Sequence, residues 1–229
     1  MIRTHGVGKV FNAGRPNEFT ALSEVSITLN LHQVTILKGP SGSGKTTLLG
    51  IVGCMARPTT GRIFLGEREI TSLPERFLTG IRRETFGFIF QQFNLIKGLT
   101  VLENVMLPAY PIGEKHAILK KRALDTLSLF NLARKAEARI EWLSGGEAQR
   151  TAIARALINN PSVIIADEPT AHLDTKLSHE FMAIMRRLKG DGKTIVLASH
   201  DPIVYDSDLA DMVIEMRDGR VAPSAEGKP

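Results

Sequence analysis

Cysteine and tryptophan each occur once in the 229 residues, and tyrosine only twice. The lone thiol, Cys54, excludes an internal disulfide and suits a reducing compartment. Long apolar runs are missing too. The longest stretch free of Asp, Glu, Lys and Arg spans residues 25–37. A membrane-spanning helix needs roughly 20 apolar residues, so none is expected. The amino-terminal MIRTHGVGKVF contains no apolar segment of signal-peptide length, so no leader is expected. His5, His32, His116, His172 and His179 lack metal-ligand spacing and read as surface residues. No internal repeat is found. Hydrophobic residues make up 43% and charged residues 23%, which excludes disorder as the main state. The length accommodates one large domain or two small ones.

The net charge is +5, and the sequence pI of about 9.5 asks for an acidic partner such as a nucleotide, an anionic lipid or a nucleic acid. The excess is local. Residues 111–140 carry seven basic and three acidic side chains, four of the five net charges. Ile118, Leu119, Leu124, Leu127, Leu129 and Leu132 recur there at helical spacing, which makes a solvated helix face the plain reading. A patch for lipid headgroups or a protein partner is the sharper one. Phe130 is the sole aromatic residue in the segment, so a stacking surface for single strands is not supported and no nucleic-acid partner is expected.

Strands and helices alternate along the chain. Residues 26–29, 34–37, 62–65, 85–90, 163–166 and 194–198 read as strands. Residues 44–55, 102–107, 114–130, 146–158 and 178–188 read as helices. Residues 213–216 and Val221, around Arg217-Asp218-Gly219-Arg220, suggest a closing hairpin. This alternation predicts a parallel, doubly wound α/β core. The stretch from about 94 to 158 lacks a strand signal and reads as a helical insertion, while residues from 222 onward read as a frayed tail.

Gly39, Pro40, Ser41, Gly42, Ser43, Gly44, Lys45 and Thr46 fit G-x-x-x-x-G-K-[ST], with Thr47 following. The motif sits between an apolar strand and a helix, the context it requires. Its glycines let successive backbone N–H groups turn around an anion, and the helix N-terminus adds partial positive charge. Lys45 is expected on β- and γ-phosphate oxygens and Thr46 on Mg²⁺. An acidic residue closing a buried strand should complete such a site. Asp167 and Glu168 end the run Val163-Ile-Ile-Ala, Asp167 for Mg²⁺ and Glu168 as a general base toward water. A third element, Leu143-Ser144-Gly145-Gly146-Glu147, opens a helix and offers a second anion-binding turn. Ser144 with Glu147 also reads as a capping box.

The phosphate loop, LSGGE, IIADEPTAHLD and ASHD, in this order, resemble the ATP-binding cassette of ABC transporters over residues 2–221. TFGFIFQQFNLI, TVLENVMLP and ADEPTAHLD are similar to the ATPases of the lipoprotein-release and macrolide-efflux group, which also includes a cell-division ATPase. The resemblance implies a RecA-like P-loop NTPase core, an N-terminal antiparallel β region and an inserted helical subdomain. These form a single domain over 1–222, followed by a flexible tail at 223–229. It further implies that Phe11 stacks on adenine, a core phenylalanine being the alternative. Gln91 would sense Mg²⁺ and the γ-phosphate. Ser144, Gly145 and Gly146 would contact the γ-phosphate bound by an opposite subunit, Asp174 would join the subunits, and His200 would be the switch histidine.

The resembled family pairs two cassettes head to tail with Mg·ATP between them, here a homodimer. It serves a separate membrane-spanning permease, at the cytoplasmic face of the cell membrane. That permease would dock near residues 91–100, with Phe93, Leu95, Ile96 and Leu99 as candidates and burial under the helices as the alternative. The function implied is ATP hydrolysis powering export or extraction of a lipophilic or peptide-like substrate. Mechanotransmission without cargo and amino-acid import stay open. A soluble ABC protein acting on DNA or ribosomes is disfavoured, since one phosphate loop and one LSGG are present. Departures from the pattern are His32-Gln33 for a Gly-Glu turn, Ala171-His172 for a small pair and Ala198-Ser199 for Val-Thr.

Overall fold

A computed structural model describes residues 1–222; the tail expected at 223–229 lies outside them. Along the chain run β1 (Ile2–Phe11), β2 (Phe19–Leu29), β3 (Val34–Lys38), α1 (Lys45–Val52), β4 (Thr60–Leu65), β5 (Arg68–Glu69), α2 (Glu75–Thr85) and β6 (Phe86–Ile89). Then come α3 (Val101–Met106), α4 (His116–Leu129), α5 (Gly145–Leu157), β7 (Val163–Asp167), α6 (Thr175–Gly190), β8 (Thr194–Ser199), α7 (Pro202–Tyr205), β9 (Met212–Arg217) and β10 (Arg220–Val221).

Strands β9, β3, β8, β7 and β6 lie side by side in parallel, and β10 closes the β9 edge as an antiparallel hairpin. The inner strands β3, β7 and β8 are buried nearly throughout because both faces are covered, whereas β9 toward the edge alternates between buried and exposed residues. Ile36, Ile164, Ile195 and Leu197 pack on one face, among Phe181, Met182 and Met185 of α6 and Ile153 of α5. Leu37, Val163, Ile165 and Val196 pack on the other, among Leu48, Leu49, Ile51 and Val52 of α1. The period-2 side-chain alternation thus divides one strand between two cores. The second core is shared with an antiparallel sheet in the order β2-β1-β4-β5, through Ile2, Val25 and Ile63. Cys54 is buried in this second core, and burial pushes its thiol up to about 11.

Helix starts follow their caps. Thr100 with Glu103 and Ser144 with Glu147 form capping boxes at α3 and α5, and Asp174 accepts from Leu177 N–H to cap α6. α5 ties the helical layer to the sheet. A Cβ on Gly87 of β6 would lie 2.4 Å from the Ala156 carbonyl oxygen of α5, so only glycine permits this approach. In the basic segment, Arg122 pairs with Glu114, Lys120 with Glu137 at 3.8 Å and Lys135 with Glu147 at 3.6 Å.

Three elements depart from the expected reading. β1 is a full strand, although Gly6 and Gly8 and three register shifts against β2 interrupt its pattern. α2 is a helix with one buried residue, Leu78; it is held by Arg82, which donates to the Cys54 carbonyl and to Glu75, each at 2.5 Å. The expected helix at 44–55 ends at Val52. At the unusual His32-Gln33 turn, His32 itself adopts φ +60. Its backbone N–H donates to Thr194 Oγ1 at 2.8 Å, and its Nδ1 lies 2.6 Å from the Gly192 carbonyl.

Candidate functional site

The parallel register brings three loop starts to one edge. Lys38 pairs with Ser199, and Asp167 pairs with Ala198. The residues that follow β3, β7 and β8 therefore emerge together at the carboxyl ends of the strands, where open α/β sheets place their ligand sites. The phosphate loop follows β3, Glu168 follows β7 and His200 follows β8.

A cavity of about 240 Å³ opens there, lined by Phe19, Ala21, residues 41–47, Gln91, Glu168 and His200. The loop turns into α1 through Gly44, at φ +97. A Cβ at that position would lie 2.7 Å from the Ala21 carbonyl oxygen, so β2 packs directly on the glycine. Ser43 Oγ is buried without a hydrogen-bond partner. Lys45 is 5% exposed, and its Nζ donates to the carbonyls of Gly39 at 2.7 Å and Pro40 at 3.0 Å. The same Nζ lies 3.1 Å from Glu168 Oε1. Glu168 Oε2 sits 2.8 Å from His200 Nδ1 and accepts from the His200 backbone N–H at 3.3 Å. Glu168 takes φ +44, a left-handed conformation that costs a non-glycine residue energy and recurs at functional sites.

Thr46 Oγ1 donates to Asp167 Oδ1 at 3.0 Å. Burial pushes the Asp167 carboxyl above the usual carboxylate range, opposed by the Thr46 hydrogen bond. Among the described residues no group of three His, Cys, Asp or Glu side chains could cage a metal. One hydroxyl beside one carboxylate, next to the cavity lined by the phosphate loop, is instead the donor set that suits Mg²⁺, which keeps its waters and takes phosphate oxygens. Cation and donor set therefore fit.

Gln91 is exposed and reaches the same cavity; the loop behind it is clamped from α5. Arg155 donates to the carbonyls of Phe93 and Asn94, each at 2.5 Å, and both residues carry positive φ. Thr170 Oγ1 donates to Asp201 Oδ2 at 2.8 Å, joining the loops that carry Glu168 and His200.

Other sequence candidates lie outside the cavity. Ser144, Gly145 and Gly146 start α5, where Ser144 is engaged as the cap, and Asp174 caps α6. His172 is exposed in the loop between β7 and α6. Phe11 is 41% exposed at the end of β1 but does not line the cavity; Phe19, missed by sequence reasoning, does. The signal that finds Phe19 is strand pairing, since it stands directly opposite Phe11.

A second groove, of about 310 Å³, lies between α2, β6, the 3-10 turn Leu107–Ile112 and α5. Phe86, Phe88, Phe90, Pro108 and Pro111 line it, and Phe88 and Phe90 stack at 6.0 Å. Of the docking residues expected from sequence, Ile96 is 51% exposed, Phe93, Leu95 and Leu99 are half-buried, and none lines this groove.

The profile of the family described as ABC transporter matches residues 22–171. The macrolide export ATP-binding/permease protein MacB of Pectobacterium atrosepticum is 38% identical over 229 residues. The match takes in all of this chain, which spans 35% of the length of that protein. The uncharacterized ABC transporter ATP-binding protein MJ0796 of Methanocaldococcus jannaschii is 41% identical, over 96% of this chain and 95% of that one. The solved dimeric structure of MJ0796, described as a bacterial ABC transporter cassette, matches with a TM-score of 0.87 at 39% identity over 97% of both chains. A dimeric post-hydrolysis state of the same cassette, bound to ADP and Pi, matches equally, with a TM-score of 0.87. The chain therefore belongs to the ABC transporter family, as an ATPase cassette.

Proposed function

We propose that this cassette hydrolyses Mg·ATP between two copies of itself and so drives a membrane-spanning permease that exports or extracts a lipophilic or peptide-like substrate. The observation that carries the catalytic part is the convergence of Lys45, Thr46, Asp167, Glu168, His200 and Gln91 on one sheet edge. In this reading Lys45 leaves Glu168 for the β- and γ-phosphates, and Ser43 Oγ and the loop N–H groups complete the cradle. Glu168, released from the ammonium, accepts a proton from the attacking water. His200 holds Glu168 and faces the γ-phosphate. Thr46, Asp167 and Gln91 would hold Mg²⁺ and its waters, and the cation would neutralise developing phosphate charge.

Two features support a second copy. Gly145 is exposed at the start of α5, and a Cβ there would meet no atom of this chain within 4 Å. The fold leaves this glycine uncovered, so a ligand from outside can approach its backbone closely. The relative MJ0796 has also been solved as a dimer. Binding that favours the closed pair shifts the population toward it, and hydrolysis releases it.

The apolar groove beside β6 supports a permease segment as its occupant, adjacent to the Gln91 loop. Among the described residues no helix is long and apolar enough to cross a membrane. MacB is named an ATP-binding/permease protein, whereas relatives near this chain's length are named ATP-binding proteins. On the likeness to these relatives we place a membrane-spanning permease against the cassette, at the cytoplasmic membrane face. The export direction rests on the MacB likeness. The test is Mg-dependent phosphate release from ATP by the chain, with Glu168→Gln expected to lose it.

A further inference from the structure

We propose that Thr170 is a positioning residue for hydrolysis, its hydrogen bond to Asp201 fixing where Glu168 points. This rests on the reading of Glu168 as the base. Thr170 is 3% exposed and does not line the cavity. A buried hydroxyl is costly unless bonded, and this one is given to the neighbouring loop. The β7–β8 ladder ends at the Asp167–Ala198 pair, followed by one backbone bond from Glu168 N–H to the Ala198 carbonyl at 2.9 Å. Beyond that point, among the described residues, two side-chain contacts join the loops that leave β7 and β8. One is Glu168 with His200, and the other is Thr170 with Asp201.

Asp201 is the fixed end of this second contact. Its Oδ1 accepts from Ile203 N–H at 3.0 Å and caps α7, while its Oδ2 takes the Thr170 hydroxyl at 2.8 Å. Its own N–H donates to the buried Ser199 Oγ at 3.1 Å. His200 stands between Ser199 and Asp201, so its loop is pinned on both sides. On the other loop Pro169 is held separately, its carbonyl accepting from the buried Gln149 Nε2 at 3.2 Å. Glu168 precedes it at φ +44, a costly conformation that its surroundings must enforce. Lys45 and His200 together hold the Glu168 carboxylate. Once phosphate takes Lys45, His200 is the partner left, and the carboxylate follows the His200 loop. Thr170 then decides how firmly that loop is tied to the base. A misplacement of about 1 Å in a reacting group can cost on the order of 100-fold in rate.

The test is steady-state phosphate release from Mg·ATP by the full chain. Thr170→Val keeps the side-chain shape and deletes the hydroxyl. Gln149 still holds Pro169, and the half-buried Asp201 can turn its free oxygen to water, so the fold is retained. The expected result is a fall in kcat of at least about tenfold with the KM for ATP unchanged, because Lys45 and Thr46 are untouched. Thr170→Ser restores the hydroxyl and recovers most of the rate. Thr170→Ala does not, and it carries the same prediction if Thr170→Val fails to fold. A packing role alone predicts the opposite order, with Val closest to the parent. The proposal is overturned by a parental kcat in both Val and Ala, by a rise in KM that accounts for the loss, or by Ser as slow as Val. Wild-type turnover in Glu168→Gln removes the base reading itself, and the positioning role with it.

Discussion

Lys45 Nζ and Glu168 Oε1 lie 3.1 Å apart, with their side chains only 5% and 12% exposed. The cation expected on phosphate and the carboxylate expected on water thus neutralise each other across the cavity. A buried pair of this kind is worth little net stability, but leaving one partner alone is expensive. A phosphate that takes Lys45 must compete with Glu168, and winning that competition frees the carboxylate. Phosphate binding and activation of the base are then one event.

Lys45→Ala is expected to weaken nucleotide binding roughly 10- to 100-fold, the range for losing charge-assisted hydrogen bonds. Equilibrium titration with Mg·ATP measures it. Unchanged affinity would remove the phosphate loop from its assigned role.

Asp167→Asn is expected to stabilise the protein in nucleotide-free buffer while abolishing Mg-dependent turnover. Burial holds the folded-state carboxyl above its ordinary value of 3.8. Folding is therefore favoured by the protonated form, and this contribution is lost as pH rises through the carboxylate range. Asn mimics the neutral form at every pH and can still accept from Thr46. Thermal melts should show a higher Tm for Asp167→Asn at neutral pH and a shrinking difference on acidification. A lower Tm for the variant at neutral pH contradicts the sign of the effect.

The core strands were legible because burial on both faces writes them as unbroken apolar runs, and the phosphate loop because few residues other than glycine can make its turns. The helix α2 was not. Its sequence ERFLTGIRRET buries only Leu78, and it is held by Arg82 reaching Cys54 and Glu75, contacts that no periodicity encodes. Phe19 escaped for a related reason. Its reach into the cavity depends on an extra residue in β2, visible only once β1 and β2 are paired. The Lys45–Glu168 pair joins the start of α1 to the residue after β7, which the motifs name separately, and the sheet register brings the loops that carry them together.

Arg155→Ala should cost roughly 2–4 kcal/mol of stability, because two inward carbonyls lose a charged donor. Arg155 is 8% exposed, and the carbonyls belong to Phe93 and Asn94, directly behind Gln91 and Gln92. Denaturant titration gives the stability loss. Hydrogen exchange at residues 91–96 should accelerate beyond the global change; uniform acceleration would show that the clamp does not hold this loop in particular.

The central claim is that ATP is shared between two copies, with Glu168 spending it. Light-scattering mass of the Glu168→Gln chain, measured before and after Mg·ATP is added, tests this most directly. The expected result is conversion from monomer to a stable dimer that needs Mg·ATP, fails with Mg·ADP and releases no phosphate. A mass that stays monomeric at saturating Mg·ATP, or turnover at the wild-type rate, would contradict the account.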